Sequence, residues 1–365
     1  MFKIFKEQTY LFEHISFKQL KEIVAIYLFL KIVSIILIYN IFEPLFARSF
    51  FYYSDWHGYI DCKLSTPNIL YSFSICLLDI EAISDFIAIF LGFFLNTVKD
   101  VFFVIIACCC TNKRIAIIFT IFLSLHPFLA LYHLRYVTTS YASICLLILF
   151  AYEVRSTWLK SSFFSNKFLI FACGILVGFR YAILVPVLSY LTFKFIRNIY
   201  FLVVLFIFLI ILSLVGWDYM SIFVNYSLNG NNDFSFNNIQ NTLNFNILPI
   251  FDTVLSFCFY FFVNLITLTG FREGSVLNFY DYFFPLDRRS IFEFLMFLSF
   301  SIFHLFGIAS FCVYFRKYKA IVFCVIVNIF VCGLFLTHIR YFIHLIPLAL
   351  IGFSIFCHKT FYKNI

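Results

Sequence analysis

The chain is expected to fold as an all-α, polytopic transmembrane bundle of about 9–11 helices, with interfacial helices in its exterior loops. Three observations point there. Of 365 residues, 63% are apolar, 23% aromatic and only 12% charged, whereas soluble domains are roughly half apolar and about a quarter charged. The mean hydropathy is +0.99. The length has room for about ten spans of about 20 residues with their loops. A water-soluble globule is thereby excluded. The net charge of +8 does not indicate a nucleic-acid partner, because the cations are scattered among apolar runs and form no basic patch. Membrane lipids are the expected surroundings, and an excess of Lys and Arg is what anchors cytoplasmic loops.

The elements follow in order. Residues 1–22 mix Lys, Glu and aromatics and lack the apolar core and cleavage site of a signal peptide. They read as a cytoplasmic leader on the membrane surface. The bundle is expected over 23–357, with a first span at 23–42. An exterior segment, 43–81, follows; its apolar part, 69–81, ends in Asp79 and Glu81 and reads as an interfacial helix. The second span, 84–110, stops at Asn112, Lys113 and Arg114. The third, 115–132, exits near His133 and Arg135, and the fourth, 139–152, returns to a loop with Arg155, Lys160 and Lys167.

Residues 168–193 are apolar but interrupted by Gly178–Tyr181 and by Pro186. One long span and two half-length helices fit equally by length. The basic Lys194 and Arg197 favour a return to the same side, hence two short helices. A span at 199–216 leads to an Asn-rich loop. The stretch 247–269 could span, but it carries Asp252 and Asn264, and spanning would put the RKYK of 316–319 outside. Residues 217–290 are therefore expected to be largely exterior. The last spans are 291–315, 320–337 and 342–357, with 358–365 a cytoplasmic tail.

The 58 Phe residues are spread through every span and follow no motif. They read as lipid-facing replacements for Leu, with an aromatic-lined groove as the alternative. The 12 Cys residues contain no C-x-x-C pair, so neither a disulfide framework nor a zinc site is expected. Buried Cys acts as a small hydrophobe.

Polar residues carry the functional argument, because an ionisable group at membrane depth needs a partner or a purpose. Asp55 in YYSDWHGYI is a candidate general base, since the neighbouring Tyr53 and Trp56 would desolvate it. His57 is a secondary candidate. Arg135 and Arg180 suit phosphate recognition by a planar guanidinium; Arg180 is expected at the exterior tip of the half-helix pair. Arg272 and Glu273, between Gly270 and Gly274, form a charged turn, and His338 with Arg340 stands at the exterior end of a late span. Lys99 and Asp100 interrupt the second span. Adjacent helical residues diverge by about 100°, so direct pairing is not expected, and the two read as snorkelling groups near the span's end. No cofactor is predicted; a divalent metal is possible, but the carboxylates are too few and scattered to define a site.

In layout this pattern resembles the GT-C class of integral-membrane glycosyltransferases. The likeness rests on Asp55 in SDWHGY after the first span, on LHPFLALYHLRYVTTSYASICLLILF, on GILVGFRYAILVPVLSYL and on HIRYFIHLIPLALIG. It departs where many members carry a second adjacent acid, for here Asp55 is followed by Trp56 and His57. The resemblance implies a GT-C-like bundle in a bacterial inner (plasma) membrane, with its active face exterior. It implies a polyprenyl-phosphate sugar as donor and a cell-envelope glycan or lipid as acceptor. Asp55 would deprotonate the acceptor, while Arg180 and Arg340 would hold the departing phosphate. The alternatives are an O-antigen or capsule polysaccharide polymerase and a lipid-linked oligosaccharide flippase. A channel or transporter ranks third, since only Lys99, Asp100 and His126 approach mid-membrane depth and no internal repeat is visible.

Overall fold

The computed structural model describes residues 15–37, 68–77, 85–134, 138–154, 166–180, 183–195, 302–335 and 343–361, and no strand occurs among them. The first helix, α1 (Phe17–Leu37), opens on a capping box. The Gln19 side chain accepts from the Ser16 N–H at 3.0 Å, and the Ser16 hydroxyl accepts from the Gln19 N–H at 3.3 Å. This reciprocal pairing satisfies two of the donors that a helix start leaves open. The helix runs without a break through residue 22, where the leader was expected to give way to the first span.

The burial pattern of α1 is inverted relative to a soluble helix. Its buried residues are Ile23, Tyr27, Lys31 and Ser34, spaced so that they share one face. Its exposed residues include Ile26, Phe29, Ile32 and Ile36. The long helix α3 (Asp85–Cys110) repeats the inversion: Asn96, Lys99 and Asp100 are buried, while Phe90, Phe94, Val98 and Phe102 are exposed. A helix in water turns its polar groups outward. Here Lys31, Ser34, Asn96, Lys99 and Asp100 turn inward while large apolar groups on the same helices face outward. The stretches Ile89–Cys110 and Ile343–Phe361 are long and apolar enough to cross a membrane.

Between these helices α2 (Ile69–Leu77) occupies the apolar part of the first expected exterior segment and packs against α7 (Asn166–Phe179). Cys76 on α2 is disulfide-bonded, contrary to the expectation that no cysteine would be. A disulfide is set by spatial proximity, which the spacing of cysteines along the chain does not reveal.

The predicted stop at TNKR is a tight turn. The Asn112 side chain accepts from the Ile115 N–H at 2.9 Å and caps α4 (Lys113–Leu125). The third expected span is not continuous. His126 adopts φ −65° and ψ 118°, the extended conformation favoured before proline. Pro127 then starts the short α5 (Pro127–Leu131), where its missing N–H is no loss. Helix α6 (Thr138–Val154) is buried along almost its whole length and packs on α3 and α7. The stretch 168–193 is broken as expected, into α7 and α8 (Leu184–Phe195), with Arg180 at the break.

Helices α9 (Ile302–Tyr314), α10 (Lys319–Phe335) and α11 (Ile346–Phe361) occupy the last three expected spans. A 3-10 turn, Ile343–Leu345, leads into α11, and α11 continues through residue 358, where the tail was expected to begin. Helices α9 and α11 touch backbone to backbone. A Cβ at Gly352 would collide with the Gly307 carbonyl oxygen and the Phe311 nitrogen, and one at Gly307 with the Ala349 carbonyl. Small residues permit this close approach. The phenylalanines divide: Phe150, Phe311 and Phe315 pack together in the interior, edge-on and stacked, at centroid distances of 4.7–5.5 Å, while Phe29, Phe94, Phe102 and Phe171 face outward.

The chain forms two compact units. The first comprises residues 1–187, 306–322 and 343–365 and holds Asp100 and Arg180. In the second, residues 188–305 and 323–342, Phe193 and Phe323 pair at 5.1 Å and His304 is buried. The expected spans 199–216 and 247–269 and the exterior segment 217–290 lie outside the described residues.

Candidate functional site

The most concentrated polar chemistry surrounds Asp100. Its position on α3 places it among α1, α4 and the α5–α6 turn. Tyr27 of α1 donates its hydroxyl to Asp100 Oδ2 at 2.9 Å. Lys31, one turn further along the same face, brings Nζ to 3.6 Å from Oδ2 and donates to the Leu123 carbonyl of α4 at 3.1 Å. Lys99 Nζ stands 3.4 Å from Oδ1 and donates to Asn96 Oδ1 at 3.0 Å. From the α5–α6 turn, His133 Nδ1 lies 3.6 Å from Oδ2. All these side chains are at least 95% buried.

The sequence reading kept Lys99 and Asp100 apart and placed them near the end of a span. The structure corrects both points. The helix continues ten residues past Asp100 to Cys110. The flexible Lys99 stem bends its ammonium group onto the neighbouring carboxylate rather than along its own Cα–Cβ direction. Lys31 and Tyr27 were not singled out at all. The signal was present, however: a lysine inside an apolar run, with a tyrosine four residues before it on the same face, is a buried charge in need of a carboxylate.

Asn96 ties this centre to the next helix. Its amide donates to the carbonyls of Gly92, Tyr132 and His133 at 2.9–3.2 Å, and its oxygen also accepts from the Ser140 hydroxyl of α6 at 2.8 Å. The asparagine thereby fixes the turn that presents His133, whose Nε2 is 2.9 Å from Thr97 Oγ1. Phe93 closes an edge-to-face contact with the His133 ring at 5.5 Å.

The other face of the α6 start meets Arg180. This side chain is buried at 6% exposure, and its Nη1 donates to Thr138 Oγ1 at 3.2 Å. The break that carries it is stitched by backbone bonds from Arg180 N–H to the Leu176 carbonyl and from Ile183 N–H to the Arg180 carbonyl. His344, in the 3-10 turn before α11, is buried within electrostatic reach of the guanidinium. Tyr141, one turn beyond Thr138, stacks on Phe179 at 4.2 Å and meets Tyr71 of α2 edge-on at 6.3 Å.

Arg180 stands at the helix break that the sequence suggested, and its side chain is buried. The remaining candidates, Asp55, His57, Arg135, Arg272, Glu273, His338 and Arg340, lie outside the described residues. Among the described residues no group of three or more His, Cys, Asp or Glu is arranged to hold a metal ion. No protein-family model matches the chain. No curated protein and no solved structure matches it either.

Proposed function

We propose that the protein is a multi-pass integral-membrane glycosyltransferase. It moves a sugar from a polyprenyl-phosphate donor to a cell-envelope glycan or lipid on the non-cytoplasmic face. The observation that carries the reading is the buried Arg180 at the break between α7 and α8, held by Thr138 with His344 nearby. A guanidinium fixed at a break in the helices, rather than along a helix face, can meet the phosphate of a lipid whose tail runs beside the bundle. Its planar fork suits an oxyanion that gains charge as the glycosidic bond breaks. Asp55 supplies the base and Arg340 a second phosphate contact in this reading, as the resemblance to GT-C enzymes implies. The inverted burial of α1 and α3 supports the membrane setting.

The test uses the full chain in nanodiscs, a panel of polyprenyl-phosphate hexoses, and lipid extracted from the bacterial envelope as acceptor, with transfer read by mass spectrometry. Arg180→Gln is expected to lower transfer by about 10²–10³-fold, the usual loss when one oxyanion partner is removed. Asp55→Asn is expected to abolish it. Full activity in Arg180→Gln, or no transfer by the unaltered protein from any donor, sinks the proposal.

A further inference from the structure

The Asp100 centre is separate from Arg180 and has a charge imbalance of its own. Two ammonium groups, Lys31 and Lys99, face one carboxylate. Among the described residues neither lysine has another acidic partner: Lys31 otherwise meets the Leu123 carbonyl, and Lys99 the Asn96 side-chain oxygen. Tyr27 brings a hydroxyl and His133 an imidazole. The centre therefore holds one uncompensated positive charge with the imidazole neutral, and two with it protonated. Asp100 stands at the middle of the apolar stretch Ile89–Cys110, about 15 Å of helix from either end at 1.5 Å per residue. An isolated charge there is costly.

The spacing is that of groups sharing a neighbour rather than bonding one another. Charge-assisted N–H···O bonds close to about 2.7–2.9 Å, yet both lysines stand off Asp100 at 3.4–3.6 Å. Each ammonium carries three N–H donors and spends one on an uncharged oxygen. Asp100 Oδ1 and His133 Nδ1 make no hydrogen bond. Taking up a proton at either group raises the positive charge. Taking up one monoanion removes it, whereas a dianion overshoots. With Tyr27, Lys31, Lys99 and His133 all within 3.6 Å of the Asp100 carboxylate, a ligand there has to be small, and mid-membrane depth separates the site from either headgroup layer.

We infer that Lys31, Lys99 and His133 form a mid-membrane binding site for one small monovalent anion of the chloride or nitrate class, next to Asp100. Binding there neutralises the centre and lets the helices that build it close around the ion. The site uses none of the residues assigned to sugar transfer, so it stands or fails independently of that reading.

The experiment measures the unfolding midpoint of the full chain in zwitterionic nanodiscs, titrated with sodium chloride or sodium nitrate against sodium gluconate at constant ionic strength. Chloride or nitrate is expected to raise the midpoint by about 3–4 °C at a hundredfold excess over its Kd. Lys31→Gln removes the excess charge and should abolish the difference between anions. Asp100→Asn doubles the excess and should enlarge it. These opposite responses distinguish a bound ion from a general salt effect, and the Asp100→Asn arm keeps the test informative if Lys31→Gln does not fold. Equal midpoints in chloride and gluconate overturn the proposal. So do variants that move in the same direction, or stabilisation that comes only from anionic lipid in the nanodisc, which would make the ligand a headgroup.

Discussion

The Asp100 centre and the Arg180 break solve the same problem in opposite ways. Both bury cations among apolar helices. At Asp100 the charges project from the interior of α1 and α3, where the backbone is fully occupied by its own helical bonds, so the side chains must satisfy one another. Tyr27, Lys31, Lys99 and His133 accordingly converge on one carboxylate. At Arg180 the helix itself stops. The guanidinium is held by the Thr138 hydroxyl, with the His344 imidazole within electrostatic reach. A network of side chains that meet one another inside the bundle serves stability. A cation at a break in the backbone is better placed to meet something from outside.

The contrast can be broken experimentally, most forcefully at Asp100. Asp100→Ala strands two buried lysines and is expected to destabilise the protein by about 3–5 kcal/mol, read from chemical or thermal unfolding in micelles. A loss under about 1 kcal/mol would mean that the centre is solvated and the two regions are alike. Tyr27→Phe removes only the one direct hydrogen bond to the carboxylate. It should cost about 1.5–3 kcal/mol, as bonds to charged groups do, with the same unfolding assay as the check. On the other side, Thr138→Val should cost about 1 kcal/mol while lowering sugar transfer, since it releases Arg180 from its seat. Transfer that is unchanged would show that Thr138 does not position the arginine. The smallest effect sharpens the comparison most. Thr138 and Ser140 lie on nearly opposite sides of the first turn of α6. The Tyr27→Phe and Thr138→Val losses should therefore add to within about 0.5 kcal/mol, and a larger coupling would make the two regions one network.

Much of this was legible in the sequence where the signal is local. The Asn112 cap was written in TNKR and the break at Arg180 in GFRY. The apolar helix ending at Cys110 was plain from its hydropathy and its polar stop. The break at His126 was equally local, carried by Pro127, but the apolar run on both sides masked it. What could not be read was which helix face meets which. Lys31 and Asp100 are 69 positions apart, and only the packing of α1 on α3 and α4 brings them together. Lys99 was misjudged for another reason: the direction of the Cα–Cβ bond says little about where a four-carbon stem ends. The Cys76 disulfide was hidden because its geometry, too, is a matter of which segments meet.

The glycine contact between α9 and α11 has a mechanical consequence. Most tight packing is cushioned by side chains that can rotate aside. At Gly352 an added methyl group would press on the main chain of α9, which has no rotamer to change, so the whole C-terminal rod must tilt to make room. The 3-10 turn bearing His344 forms the head of that rod. Position 352 is therefore a fulcrum: one extra carbon there would be magnified into a displacement of the imidazole two turns away.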